Sequence, residues 1–143
     1  MQYRTHILVN LLIAVFLTIQ LTSCIDKKEA SRELITEGIK EMEKGQSQAA
    51  KTFFDEAIRK DPTNPIAYYY RGSMSYDINS KSPQAALDDL TMAIKLDSAY
   101  ADAYATRAQI KFYMNDKDGA CKDWRIAEKL GKPNMSDKTR YCP

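Results

Sequence analysis

Residues 34–62 read LITEGIKEMEKGQSQAAKTFFDEAIRKDP. Leu34, Ile35, Ile39 and Met42 fall at the spacing of one helical face. Gly45 ends that run, and Ser47 can cap a second helix. Ala50, Phe54, Ala57 and Ile58 form the apolar face of that helix, which Asp61-Pro62 closes. The stretch is therefore a helix, a turn and a helix. The same pattern returns twice, at intervals of 34 to 36 residues: Gly38, Gly72 and Ala108; Ala50, Ala86 and Ala120; Phe54, Leu90 and Trp124; Ala57, Ala93 and Ala127. A period of this size marks an all-α helical repeat array. Such arrays work mostly as surfaces that hold a partner.

Working outward, a second helix pair is expected over Ile66–Asp77 and Pro83–Leu96, with Pro65 in a first turn and Ser82 as a cap. Gly72 to Ala86 spans 14 residues where Gly38 to Ala50 spans 12, so two residues are inserted within Asn79–Ser82. A third pair is expected over Tyr100–Met114 and Asp118–Leu130, closed by Gly131. The repeats are thus bounded at about 31–64, 65–100 and 101–131, and residues 132–143 form a C-terminal cap containing a short helix. A terminal repeat needs such a cover to stay soluble.

The repeats resemble the tetratricopeptide repeat (TPR). Leu34, Gly38, Gly45, Ala50, Phe54, Ala57 and Asp61-Pro62 stand where that family places such residues. So do Tyr68, Gly72, Ala86, Leu90, Ala93 and Asp97, then Tyr104, Ala108, Ala120, Trp124 and Ala127. Departures are Ser98 in place of proline, Asn115 in place of glycine, and Lys129–Pro133 in place of an Asp-Pro close. Asparagine tolerates the left-handed backbone, so the change at Asn115 is mild. The resemblance implies three helix-turn-helix repeats in a short right-handed solenoid. Small residues let paired helices cross closely, while Phe54 and Trp124 fill the space against the next element.

In this family the first helix of each pair lines a concave groove. The resemblance carries that role to Arg32, Ile35, Ile39 and Met42; to Ile66, Tyr69, Tyr70, Ser73 and Tyr76; and to Asp102, Ala105, Thr106, Gln109, Phe112 and Tyr113. Tyr68 and Tyr104 occupy core positions instead. Seven of the eight tyrosines after residue 23 lie between Tyr68 and Tyr113, and tyrosine is enriched at recognition surfaces. The chaperone-binding members clamp a C-terminal carboxylate with lysine, asparagine and arginine. Ile35, Ile39, Tyr70, Asp102 and Thr106 stand at those places here, so an apolar or aromatic peptide segment, or a partner's helix, suits the groove better. Capture of a small ligand or glycan in the same groove is the alternative.

Overlaying the repeats places Glu37, Arg71 and Arg107 in one register, and Phe53, Asp89 and Asp123 in another. Arginine and aspartate occur together or not at all. Structural ion pairs Arg71–Asp89 and Arg107–Asp123 are expected, the alternative being solvated charges.

The N-terminal residues differ from the rest. Ile7–Leu21 is almost wholly apolar behind Arg4, too short for a membrane span, which needs about 20 residues. A charged start, short apolar middle and small end describe a secretory signal over residues 1–23. Leu21-Thr22-Ser23-Cys24 resembles the lipobox of bacterial lipoproteins, where the cysteine is lipidated and becomes the N-terminus; an ordinary signal ending near a cysteine is the alternative. The resemblance implies a lipid anchor on Cys24, a tether over 24–30 and, with Ile25 rather than aspartate after the cysteine, the outer membrane of the cell envelope. Cys121 and Cys142 are then an even pair in an oxidising compartment, which favours a disulfide over free thiols.

Without Arg4, the 21 basic residues fall to 20 against 19 acidic, a net of +1. Nucleic acid, which needs a basic stripe or face, is not expected as a partner. His6 is the sole histidine and leaves with the signal. No histidine-based triad or imidazole metal ligand then remains, so no enzyme, metal or cofactor is expected. The expectation is a membrane-anchored adaptor for a protein or peptide partner in the envelope.

Overall fold

The computed structural model describes residues 26–75, 83–140 and 142. Cys24, the apolar run before it, Tyr76 and the insertion at 79–82 lie outside the described residues. Helix α1 covers residues 26–43, followed by α2 (Ser47–Lys60), α3 (Pro65–Ser75), α4 (Pro83–Leu96), α5 (Ala101–Tyr113), α6 (Lys117–Lys129) and α7 (Ser136–Thr139). α1 with α2, α3 with α4, and α5 with α6 are three antiparallel helix pairs stacked in sequence, and α7 closes the last pair. None of the described residues forms a strand. The chain is a three-repeat helical solenoid with a C-terminal cap.

Two local expectations are corrected. Residues 26–30, expected as part of a tether, are already helical, because Lys27, Lys28, Glu29 and Ala30 are good helix formers. Ser31 is instead fully buried inside α1 and donates its hydroxyl to the carbonyl of Ala57 at 3.0 Å. A small polar residue there lets α1 approach α2 while satisfying its own donor. Ser47 is the first residue of α2 rather than its cap; Gln46 holds the cap position without a side-chain bond. Asp116 does cap α6, accepting from the Gly119 amide at 2.9 Å.

The repeat positions account for the core. Ala50, Phe54, Ala57, Ala67, Ala86, Leu90, Ala93, Ala103, Ala108, Ala120 and Ala127 are wholly buried. Gly38 makes room for Phe54: a Cβ there would lie 2.6 Å from a ring carbon. The turn inside the first pair uses Gly45 at φ +76°. In the third pair Asn115 takes that turn at φ 65°, a conformation its short polar side chain tolerates.

Charged side chains tie the helices together. Arg71 donates from Nε and Nη2 to the two oxygens of Asp89 at 2.8 and 2.6 Å, and from Nη1 to Asp55 at 2.8 Å. One guanidinium thus joins α2, α3 and α4. One repeat later, Arg107 grips Asp123 at 2.8 and 2.7 Å and reaches back to the Thr91 hydroxyl at 3.2 Å. Each arginine also lies over the tyrosine one turn before it, Arg71 on Tyr68 at 5.7 Å and Arg107 on Tyr104 at 5.5 Å. The Cys121–Cys142 disulfide, with Cα atoms 5.5 Å apart, fastens the chain end to α6.

Candidate partner-binding face

Helices α1, α3 and α5, the first of each pair, share one face of the solenoid, and two cavities open on it. The larger, about 570 Å³, lies between α1 and α3. Ile35, Ile39, Ile66 and Tyr70 give it an apolar floor, with Arg32, Thr36 and Asn64 at its edge. The smaller, about 230 Å³, lies between α3, α5 and the chain end. It is lined by Tyr69, Ala105, Thr106, Gln109 and Trp124 from the repeats.

Burial separates the expected groove residues into two groups. Ile35 is only 6% exposed and packs with Ala50, Phe54, Ala57 and Ala67, so it is chiefly a core residue whose edge reaches the cavity. Ile39, Met42 and Tyr70 are partly buried against the same cluster, and Tyr70 stacks on Phe54 with ring centres 5.4 Å apart. Ser73 turns its hydroxyl back to the Tyr70 carbonyl at 3.0 Å. Tyr69 is half-buried between Tyr70 and Tyr100, at 5.2 and 5.0 Å. Expected as an open aromatic, it is a wedge between repeats, because Tyr100 at the entry to α5 packs onto it. Burial pushes the hydroxyls of Tyr69 and Tyr100 above the usual tyrosine range.

Ile66, Phe112 and Tyr113 remain open, at 42%, 43% and 57% exposure. Phe112 rests against Trp124 at 5.4 Å and Tyr113 at 6.3 Å. These two rings stand at the C-terminal end of α5, where Gln109, Phe112, Cys121, Trp124 and Lys138 line a further cavity of about 530 Å³. The indole nitrogen of Trp124 is buried without a hydrogen-bond partner among the described residues.

The residues after α6, expected as a cap over the last repeat, also make contacts with α5 that the repeat pattern does not foretell. Lys132 forms an ion pair with Asp102, which holds the lysine above the usual amine range by hydrogen bonding. Lys138 donates to Gln109 Oε1 at 2.6 Å and sits over the Trp124 ring at 5.4 Å. Met135 is buried against Ala108, Ala120 and Trp124. The cap therefore covers part of the α5 face as well as the end of the solenoid. Met135, one apolar residue in a polar tail, is the sequence signal that could have revealed it.

Several solved structures share this architecture. The first TPR of Spaghetti (RPAP3), bound to the HSP90 peptide SRMEEVD, superposes with a TM-score of 0.72 at 23% identity, covering 79% of this chain and 90% of that one. The fold is that of a tetratricopeptide-repeat domain. MamA has a TM-score of 0.64 at 30% identity, over 71% of this chain and 58% of its own. In sequence, the chain is 34% identical to rat serine/threonine-protein phosphatase 5 over 90 residues, which are 62% of this chain. It spans only 17% of that protein's length. No protein-family model matches the chain.

Proposed function

We propose that this TPR domain is an adaptor held at a bacterial envelope membrane through Cys24, binding a peptide or helix of a protein partner on its α1–α3–α5 face. The observation that carries the reading is the cavity between α1 and α3, whose floor is Ile35, Ile39, Ile66 and Tyr70. An apolar floor with a polar rim suits an extended or helical segment that anchors by apolar side chains. The peptide-bound neighbour of the same fold supports use of the domain for peptide recognition.

Charge defines which peptide. The neighbour's SRMEEVD peptide is acidic. On this chain three of the cations lining the groove have internal partners, Arg32 with Glu29 at 3.1 Å, Lys132 with Asp102, and Lys138 with Gln109, and only Lys28, at the rim of the α1–α3 cavity, has none among the described residues. A cation committed to an internal partner has little left to offer a carboxylate. One unpaired lysine at the rim of an apolar floor of Ile35, Ile39, Ile66 and Tyr70 favours an apolar or aromatic partner segment over an acidic C-terminus. The lipobox-like Leu21-Thr22-Ser23-Cys24 supports the membrane anchor.

Replacing the exposed Ile66 by glutamate tests the site with little damage to the fold. Recovery of the partner from native membranes should fall at least tenfold, the cost of one buried apolar anchor, roughly 1.4 kcal/mol or more. Unchanged recovery would overturn the groove reading.

A further inference from the structure

A fourth cavity lies at the N-terminal end of the solenoid, beside the α1–α3 cavity, with which it shares Lys28, Asp61 and Thr63. It measures about 550 Å³ and is lined by Lys27 and Lys28 of α1 and by Arg59, Lys60, Asp61 and Thr63 at the end of α2. Four cations thus face one carboxylate. That carboxylate is committed, since Asp61 Oδ1 accepts from the Thr63 amide at 3.0 Å and from its hydroxyl at 2.6 Å. Arg59 lies 3.6 Å from Glu56, a loose pair with the arginine side chain 74% exposed. Lys27, Lys28 and Lys60 have no ion-pair partner among the described residues. The carbonyl end of α2 accounts for basic residues in its last turn. It does not account for Lys27 and Lys28, which begin the described part of a different helix.

We infer that this basic end of the solenoid rests on the anionic surface of the bilayer. The inference builds on the membrane anchoring proposed above. Lys27 stands three residues after Cys24, behind an apolar run at Ile7–Leu21. Three residues reach at most about 10 Å, close to the Debye length of about 8 Å at physiological salt. Headgroup phosphates then lie within range of all four cations. Contact at this end borders the α1–α3 cavity at Lys28 and leaves the part of the face toward α5, with Tyr69, Thr106 and Gln109, open to a partner. Each cation near such a surface strengthens its hold by about fivefold.

Lysine acetylation of the full lipidated chain, read by mass spectrometry, tests this. The chain is reconstituted in phosphatidylcholine vesicles with or without phosphatidylglycerol, and flotation scores anchoring first. Lys27, Lys28 and Lys60 should be labelled at least fivefold more slowly on the anionic vesicles, and about 0.5 M salt should abolish the difference. Lys95 and Lys129, at other helix ends, should label equally on both. In Lys60→Glu, protection of Lys27 and Lys28 should weaken while the chain still floats. Flotation with equal labelling of Lys27, Lys28 and Lys60 on both vesicles would overturn the surface contact and leave the anchor standing. Failure to float on either would overturn both. If inorganic phosphate protects the three lysines equally on neutral vesicles, the cavity takes soluble anions and the bilayer contact is wrong.

Discussion

The guanidinium of Arg107 donates to both carboxylate oxygens of Asp123, at 2.8 and 2.7 Å, and the Asp123 side chain is only 4% exposed. Lys111 adds a third bond to the same carboxylate at 2.8 Å. The buried anion is therefore balanced from two turns of α5. Removing it strands two cations in a mostly buried site, whereas keeping it costs little once paired.

Asp123→Ala is expected to cost about 3 kcal/mol, the usual penalty for breaking one side of a buried ion pair. Asp89→Ala should cost less, roughly 1–2 kcal/mol, because its side chain is 14% exposed and Arg71 keeps Asp55 as a second acceptor. Urea unfolding of the two variants gives the order directly. Equal losses would show that burial is not what sets the strength of these pairs.

The disulfide closes a loop with its cysteines 21 positions apart. Cys142→Ser should lower stability by about 3 kcal/mol on the chain-entropy model. It should also loosen Met135 and Lys138 from Trp124, shifting the emission of the single tryptophan to the red. Unchanged emission would mean that side-chain packing alone holds the cap.

Gly38→Ala places a methyl 2.6 Å from the Phe54 ring, which is wholly buried. Overpacking costs about 1–3 kcal/mol, partly offset by about 1 kcal/mol of helix propensity. A net loss on the order of 1 kcal/mol is expected in thermal or urea unfolding. A gain would show that Phe54 can shift at no cost.

Burial raises the folded-state titration of Tyr69 and Tyr100 above the unfolded value. The unfolded chain therefore loses these protons first as pH rises. Stability from the two groups is fully present below about pH 10 and falls as pH climbs from there toward their folded values. Alkaline unfolding monitored by circular dichroism should begin near that pH, and the double variant Tyr69→Phe/Tyr100→Phe should lessen the fall. Identical alkaline profiles would contradict the burial of these hydroxyls.

The repeat architecture was legible because close helix crossing dictates residue size: the Gly38, Ala50, Phe54 and Ala57 register recurs wherever two helices touch. The openness of the groove was not. Ile35 and Tyr69 sit at face positions, yet whether a face residue is exposed depends on the neighbouring repeat and on Tyr100. The reach of Arg71 to Asp55 and of Arg107 to Thr91 joins successive repeats, and contacts between repeats leave no mark in a single repeat's pattern. The cap illustrates the same limit. Lys132 and Lys138 meet α5 residues some 30 positions away, with only Met135 hinting at the docking.

Site-specific photocrosslinking in native membranes tests the central claim most directly. A benzophenone side chain is placed on the groove at Thr36, Ile66 or Thr106, and on the second helices of the pairs at the exposed Gln48 or Gln84. A single discrete adduct, formed from the three groove positions and lost when Ile66→Glu is combined with the probe at Thr36 or Thr106, is the result expected of an adaptor that binds through its α1–α3–α5 face. Adducts of equal yield from Gln48 and Gln84, or none from the groove, would contradict it.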